Sequence, residues 1–201
     1  MKVKSIYRIF EEATESYHLT DDVNASPKNP YKEGSVEELY WKKNWIDAVQ
    51  WHLEDIIRNP ELEAQEGMKI KHRIDKSNQD RTDIVESIDD VFIETFKDIV
   101  PKENARINTE TPAWALDRLS ILVLKIYHMQ KEVSRKDASK EHISFCENKL
   151  NVLRTQRKDL IQSIEELLED IASGNKRMKV YRQVKMYNDP SLNPILYKKE
   201  K

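Results

Sequence analysis

Residues 70–92 read IKHRIDKSNQDRTDIVESIDDVF. At about 100° per residue, Ile70, Ile74, Ile84, Val85, Ile88 and Phe92 fall on one stripe, which predicts an amphipathic helix too long to be a strand. Arg81 stands in the middle of that stripe, seven residues after Ile74 and seven before Ile88, with Ser77 and Asn78 beside it. A guanidinium cannot shed its charge, so at a core-facing position it needs a carboxylate, an anionic ligand or a route to solvent.

Punctuation on either side extends the helical reading. Pro101 stops this helix, predicted over residues 66–100. Upstream, Ser35 and Glu38 form a capping box that opens a helix running to Asn59-Pro60. Downstream, Thr111-Pro112 supplies an N-cap and a first-turn proline for a helix over 112–134. A last helix spans 139–172, with Gly174 just past its end. Ile6, Ile9, Phe10, Ala13 and Tyr17 mark a short helix at the N-terminus. The expected fold is all-α: an antiparallel four-helix arrangement of two hairpins (residues 36–100 and 112–172), plus the short N-terminal helix. Residues 1–175 are expected to form one helical domain, and residues 176–201 a basic tail that includes Tyr181, Tyr187 and Tyr197.

The composition agrees. Of 201 residues only 3 are Gly and 35% are charged, and neither GxGxxG nor GxxxxGK[ST] occurs. Gly-looped nucleotide folds and the two common phosphate cradles are therefore excluded. The formal net charge is −2, unevenly divided: the tail is strongly basic and the body acidic, which argues against a broad nucleic-acid face. The single cysteine, Cys146, excludes an internal disulfide and reads as a packed side chain. The start lacks a signal-peptide apolar run. The most apolar stretch, Leu116 to Met129, is interrupted by charges and too short to cross a bilayer. The expectation is a cytoplasmic protein without a membrane partner.

The helix over 139–172 repeats the Arg81 pattern, with Leu150, Leu153, Leu160, Ile161 and Ile164 around Arg157. Residues 81–92 align ungapped with 157–168, and the same offset of 76 sets Trp51-His52-Leu53 on Tyr127-His128-Met129. Either a duplicated hairpin or shared periodicity accounts for the match. Hairpin arithmetic places Asp117 opposite Arg157, and Asn44 and Asp47 opposite Arg81. Asp117, Arg118, Lys125 and His128 gather on one side of their helix, so a polar cleft lined by the two arginines is expected. His52 lies on an apolar face with Trp41, Trp45 and Val49, where a hydrogen-bonded core histidine is the plain reading. Trp51 and Trp114 are core residues that are also able to stack a sugar or base. Glu15-x-x-His18 is a lone Glu-x-x-His outside the expected bundle, HExxH is absent, and no metal ligand is assigned.

Two segments carry a family resemblance. The first is WHLED (51–55) with Arg58, then KHRIDKSNQDRTD (71–83), Glu86 and Asp89. The second is NTETP (108–112), DRLSIL (117–122), Lys125 and His128. Together they resemble a bacterial family of about 200 residues known as domain-of-unknown-function family 4254. Thr82 and Ala113 stand where that pattern carries Asn and Gly. The resemblance implies a helical fold, supplies no activity, and concentrates motif positions on His52, Asp55, Asn78, Arg81, Glu110, Asp117, Arg118, Lys125 and His128.

The expected function is a polar inter-helix site that binds an anionic small molecule, such as a phosphorylated sugar or nucleotide. Arg81, Arg157, Arg118 and Lys125 are its cationic donors. Asn78, Asp55 and Glu110 join the ligand-binding set. If chemistry occurs there, His128 or His52 is the acid/base and Asp117 its orienter. No cofactor is assigned, and a homo-oligomer is compatible with the sequence. The rival expectation is a non-catalytic assembly or adaptor protein whose buried Arg/Asp layer only fixes helix register.

Overall fold

The structure, a computed structural model, describes residues 2–184 and 190–197. Helices α1 (Val3–Tyr17), α2 (Val36–Ile57), α3 (Ala64–Phe96), α4 (Pro112–Val133) and α5 (Lys140–Ala172) form the body of it. A two-residue parallel ladder joins β1 (Arg106–Ile107) to β2 (Lys176–Arg177), and α6 (Pro194–Tyr197) is a single turn. The chain is all-α. Among the described residues, no helix is long and apolar enough to cross a membrane.

The helix starts follow local chemistry. Thr111 and Ser139 accept the backbone N–H of Trp114 and His142, and Ser35 accepts that of Glu38. Glu38, however, reaches past Ser35 to the N–H of Gly34 (2.6 Å), so the expected reciprocal box is displaced by one residue. The chain leaves α5 through Gly174 at φ +73°. A Cβ there would sit 3.0 Å from the Val100 carbonyl oxygen, while the Gly174 carbonyl accepts Lys102 N–H at 2.9 Å. Only glycine fits both the turn and the approach.

The pairs α2–α3 and α4–α5 pack against each other as expected, but α1 is not an accessory to them. Phe10 packs edge-on to Tyr40, Thr14 bonds Asn44, and Tyr17 stacks on His52, so α1 runs alongside and parallel to α2. Asn44 meets Ser120, and His52 meets His128, so α4 is parallel to both. The α3 helix returns against α2 and α4. The α5 helix returns against α4 and α1. Val3, Ile6, Phe10, Ala13 and Tyr17 are wholly or almost wholly buried with Trp41, Ala48, Val85, Leu116, Leu119 and Ile164. Helix α1 is thus a central element. The reason is that α2 carries buried residues around its circumference and needs a third neighbour besides α3 and α4.

Of the expected basic tail, residues 176–184 and 190–197 are described, and Tyr187 lies outside them. Lys176–Arg177 forms β2, and Arg182 is ion-paired with Glu86 and Asp90 on α3.

Because α1 is central, Phe10→Ala should cost about 3–5 kcal/mol, as for a truncated core aromatic. Urea denaturation checks this. A midpoint close to the parent's would mean that α1 is only peripheral.

Candidate functional site

Where α2, α3 and α4 meet, four charged side chains form a closed layer. Lys43 and Asp47 lie one turn apart on α2 and pair with their side chains fully buried. Lys43 Nζ also sits 2.9 Å from Asp117 Oδ1 on α4. Arg81 on α3 approaches Asp117 as a fork, with Nε at 2.8 Å from Oδ1 and Nη2 on Oδ2. Arg81 Nε lies 3.5 Å from Asp47 Oδ1, which is buried and has no hydrogen bond. Ser120 Oγ donates to Asp47 Oδ2 at 2.6 Å and accepts from Asn44 Nδ2 at 3.0 Å. Thr14 Oγ1 donates to Asn44 Oδ1 at 2.7 Å. One chain of polar contacts therefore ties α1, α2, α3 and α4 together.

Two cations and two anions cancel, and their protonation tendencies diverge with their surroundings. Burial raises the Asp47 carboxyl above the ordinary carboxylate range, and Lys43 offsets this only in part. Burial acts in the same sense on Asp117, but Lys43 and Arg81 together outweigh it and hold that carboxyl below its ordinary value. Burial opposes the charge of Arg81, and Asp117 more than restores it.

Arg81 is the most exposed member of this layer, with 28% of its side chain open to solvent. It borders two cavities, both of which Ile121 also lines. The larger, about 670 Å³, lies between α4 and α5 and includes Arg118, Lys125, Gln156 and Asp159. The smaller, about 320 Å³, is lined by Gln50, Trp51, Asp55 and Arg58.

The expected site residues thus separate into groups. Arg81, Asp117, Arg118 and Lys125 share the larger cavity, and Asp55 lines the smaller one. Glu110 pairs with Arg118 at 2.9 Å, and Asn78 accepts from Gln50 Nε2 at 2.8 Å. Arg157 is apart. Its guanidinium lies over the Tyr7 ring of α1, 5.6 Å from the centroid, so Asp117 faces Arg81 and not Arg157. The placement of α1 explains this, since α5 meets α1 where a symmetric second hairpin would meet α2. The 76-residue offset survives only along the parallel helices, where Asn44 meets Ser120 and His52 meets His128.

His52 and His128 belong to a different cluster. With His18, the C-cap of α1, they form a triangle of imidazoles with centroids 5.1–5.3 Å apart. Trp51 stacks on His128 at 4.8 Å. Asp117 is held by Lys43 and Arg81, so it does not orient His128. Burial, reinforced by His18 and His52, lowers the pKa of His128 to about 4, which leaves it neutral near pH 7.

Sequence reasoning passed over Lys43 and His18. Lys43 was detectable: Tyr40, Lys43, Asn44 and Asp47 are spaced i, i+3, i+4, i+7, a second buried stripe on α2. His18 carried the lone Glu-x-x-His signal, set aside because α1 was expected to lie outside the bundle.

A family model described as a protein of unknown function (DUF4254) matches residues 37–180. No curated protein and no solved structure matches the chain.

Removing Lys43 leaves two buried carboxylates facing Arg81 alone. Lys43→Met should cost about 3–5 kcal/mol in a denaturant titration, and adding Asp47→Asn should recover part of the loss. A second outcome concerns pH. Folding favours neutral His128, whose pKa falls from 6.5 to about 4. This contribution is intact above pH 6.5, is lost as pH falls toward 4, and levels off below. The melting temperature should decline across that window, and less steeply in His128→Gln. Parallel slopes would contradict the burial of a neutral imidazole.

Proposed function

The chain belongs to the DUF4254 family, and we propose that it binds an anionic small molecule in the cavity between α4 and α5, anchored by Arg81. The carrying observation is how Arg81 is held. Asp117 grips its Nε and Nη2 from beneath, while its outer edge stays open to the cavity. A guanidinium fixed by a carboxylate behind it is pre-organised for a phosphate or carboxylate in front, with little side-chain entropy left to lose. Arg118 and Lys125 line the same cavity as further donors, and Asp159 limits how much negative charge it accepts. A phosphorylated sugar or nucleotide fits a cavity of about 670 Å³. The proposal places the chain in the cytoplasm, where such metabolites circulate.

A second reading has its own observation. Lys43, Asp47, Asp117 and Arg81 already balance in charge, which suits a purely structural layer in a non-catalytic assembly protein. The two readings differ at the rim. Arg118 and Lys125 are exposed, so replacing both by Ala should change stability by less than about 0.5 kcal/mol each.

Inorganic phosphate, hexose phosphates and nucleoside phosphates should be screened by thermal shift at millimolar concentration. The anion-site reading predicts that at least one raises the parent's melting temperature, and that the Arg118→Ala, Lys125→Ala variant binds it at least about tenfold more weakly. If no anion moves the parent, the structural reading stands.

A further inference from the structure

From the convergence of His18, His52 and His128 we infer a tri-histidine site for a divalent transition metal, with Zn²⁺ the ion it suits best. The inference is independent of the anion cavity and rests on residues from three helices. Because α1, α2 and α4 run parallel, the three imidazoles lie near the same ends of their helices. His18 follows the last residue of α1, and His52 and His128 each sit five residues before the ends of α2 and α4. These are the C-terminal ends, where unpaired carbonyls leave partial negative charge that favours a cation.

The donor atoms are arranged as ligands. One nitrogen from each ring lies within 4.8 Å of the other two. His18 Nε2 and His52 Nε2 are 3.2 Å apart. Two nitrogens on a tetrahedral metal, each at about 2.0–2.1 Å, are separated by about 3.3–3.4 Å. That pair therefore already has the spacing of a chelate. His18 Nδ1 lies 2.7 Å from the Thr14 carbonyl oxygen, to which it donates its proton, so Nε2 carries a lone pair that either His52 Nε2–H or a metal ion is able to take up. The bond to Thr14 is the outer-shell bond that fixes the tautomer of a metal-ligating histidine. His128 Nε2 is buried without a hydrogen-bond partner. Such an atom is costly in a metal-free core and satisfied by a bond to an ion.

A carboxylate lies nearby, outside the group of three imidazoles. Asp21 takes the left-handed conformation (φ 52°), unusual for a residue other than glycine. Its N–H bonds the Tyr17 carbonyl, and its carboxylate comes within 3.7 Å of His52 Nε2. Asp55 stands 3.9 Å from His52 Nδ1, beyond direct hydrogen-bond distance. Three imidazoles with a carboxylate or water in the fourth position form the donor set of a tetrahedral zinc site. Tyr17 stacks on His52 and Trp51 on His128, which holds both rings in plane.

A second group, Glu132, His142 and Cys146, supplies the internal control. The test is titration of the chelator-stripped protein with Zn²⁺ and with Co²⁺, together with X-ray absorption at the edge of the bound metal. The expected result is one tight equivalent, a raised melting temperature, and a shell of three imidazole nitrogens and one oxygen with no sulfur. Cys146→Ser should bind as the parent does, and His18→Gln with His52→Gln should weaken binding more than about a hundredfold. If the double variant does not fold, the absorption spectrum of the parent decides alone. A parent that binds no metal, a sulfur shell, or undiminished binding in a folded double variant overturns the site.

Discussion

The Asp117 carboxylate, shared between Lys43 of α2 and Arg81 of α3, is the contact on which the rest of the structure depends. It brings three helices to a common level and sets their register, since neither cation can move by a turn without stranding a buried acid. Asp47 completes the layer and passes the constraint through Ser120 and Asn44 to Thr14 on α1. Apolar packing supplies the bulk of the folding energy, but it is non-directional and would tolerate small slips of one helix past another. The polar layer does not.

The same constraint places the candidate sites. With α1, α2 and α4 parallel and in fixed register, His18, His52 and His128 arrive together one step along the helices from the charged layer. Trp51 stacks on His128 and lines the smaller cavity that Arg81 also borders. The imidazole cluster and Arg81 are thus neighbours on one scaffold. Arg81 has two environments: its inner edge is committed to Asp117, and its outer edge faces two cavities.

Much of the fold is legible in the sequence because it is written in local chemistry. Ser35, Thr111-Pro112 and Ser139 start helices for reasons confined to a few residues, and the stripe from Ile70 to Phe92 survives as the buried face of α3. The position of Arg81 in that stripe calls for a carboxylate, an anionic ligand or a route to solvent; the structure gives it Asp117 and partial exposure, where hairpin arithmetic sets Asp117 against Arg157. What periodicity does not encode is which apolar face covers which. Helix α1 read as an accessory because its stripe shows what must be buried but not against what, and its central position is what moves Arg157 onto Tyr7 and brings His18 to His52. The stripe that holds Lys43 was legible as spacing but easy to pass over for a related reason. A lysine on a helix usually reads as solvated, and only three helices surrounding α2 make it a buried charge.

The most direct test is a double-mutant cycle on Arg81→Gln and Asp117→Asn, read from urea unfolding of both single variants and the pair. If the shared carboxylate organises the helices, the two changes are strongly non-additive, with a coupling of about 1–3 kcal/mol. Losses that simply add would contradict the account, leaving hydrophobic packing to set the register and the charged layer as a passenger.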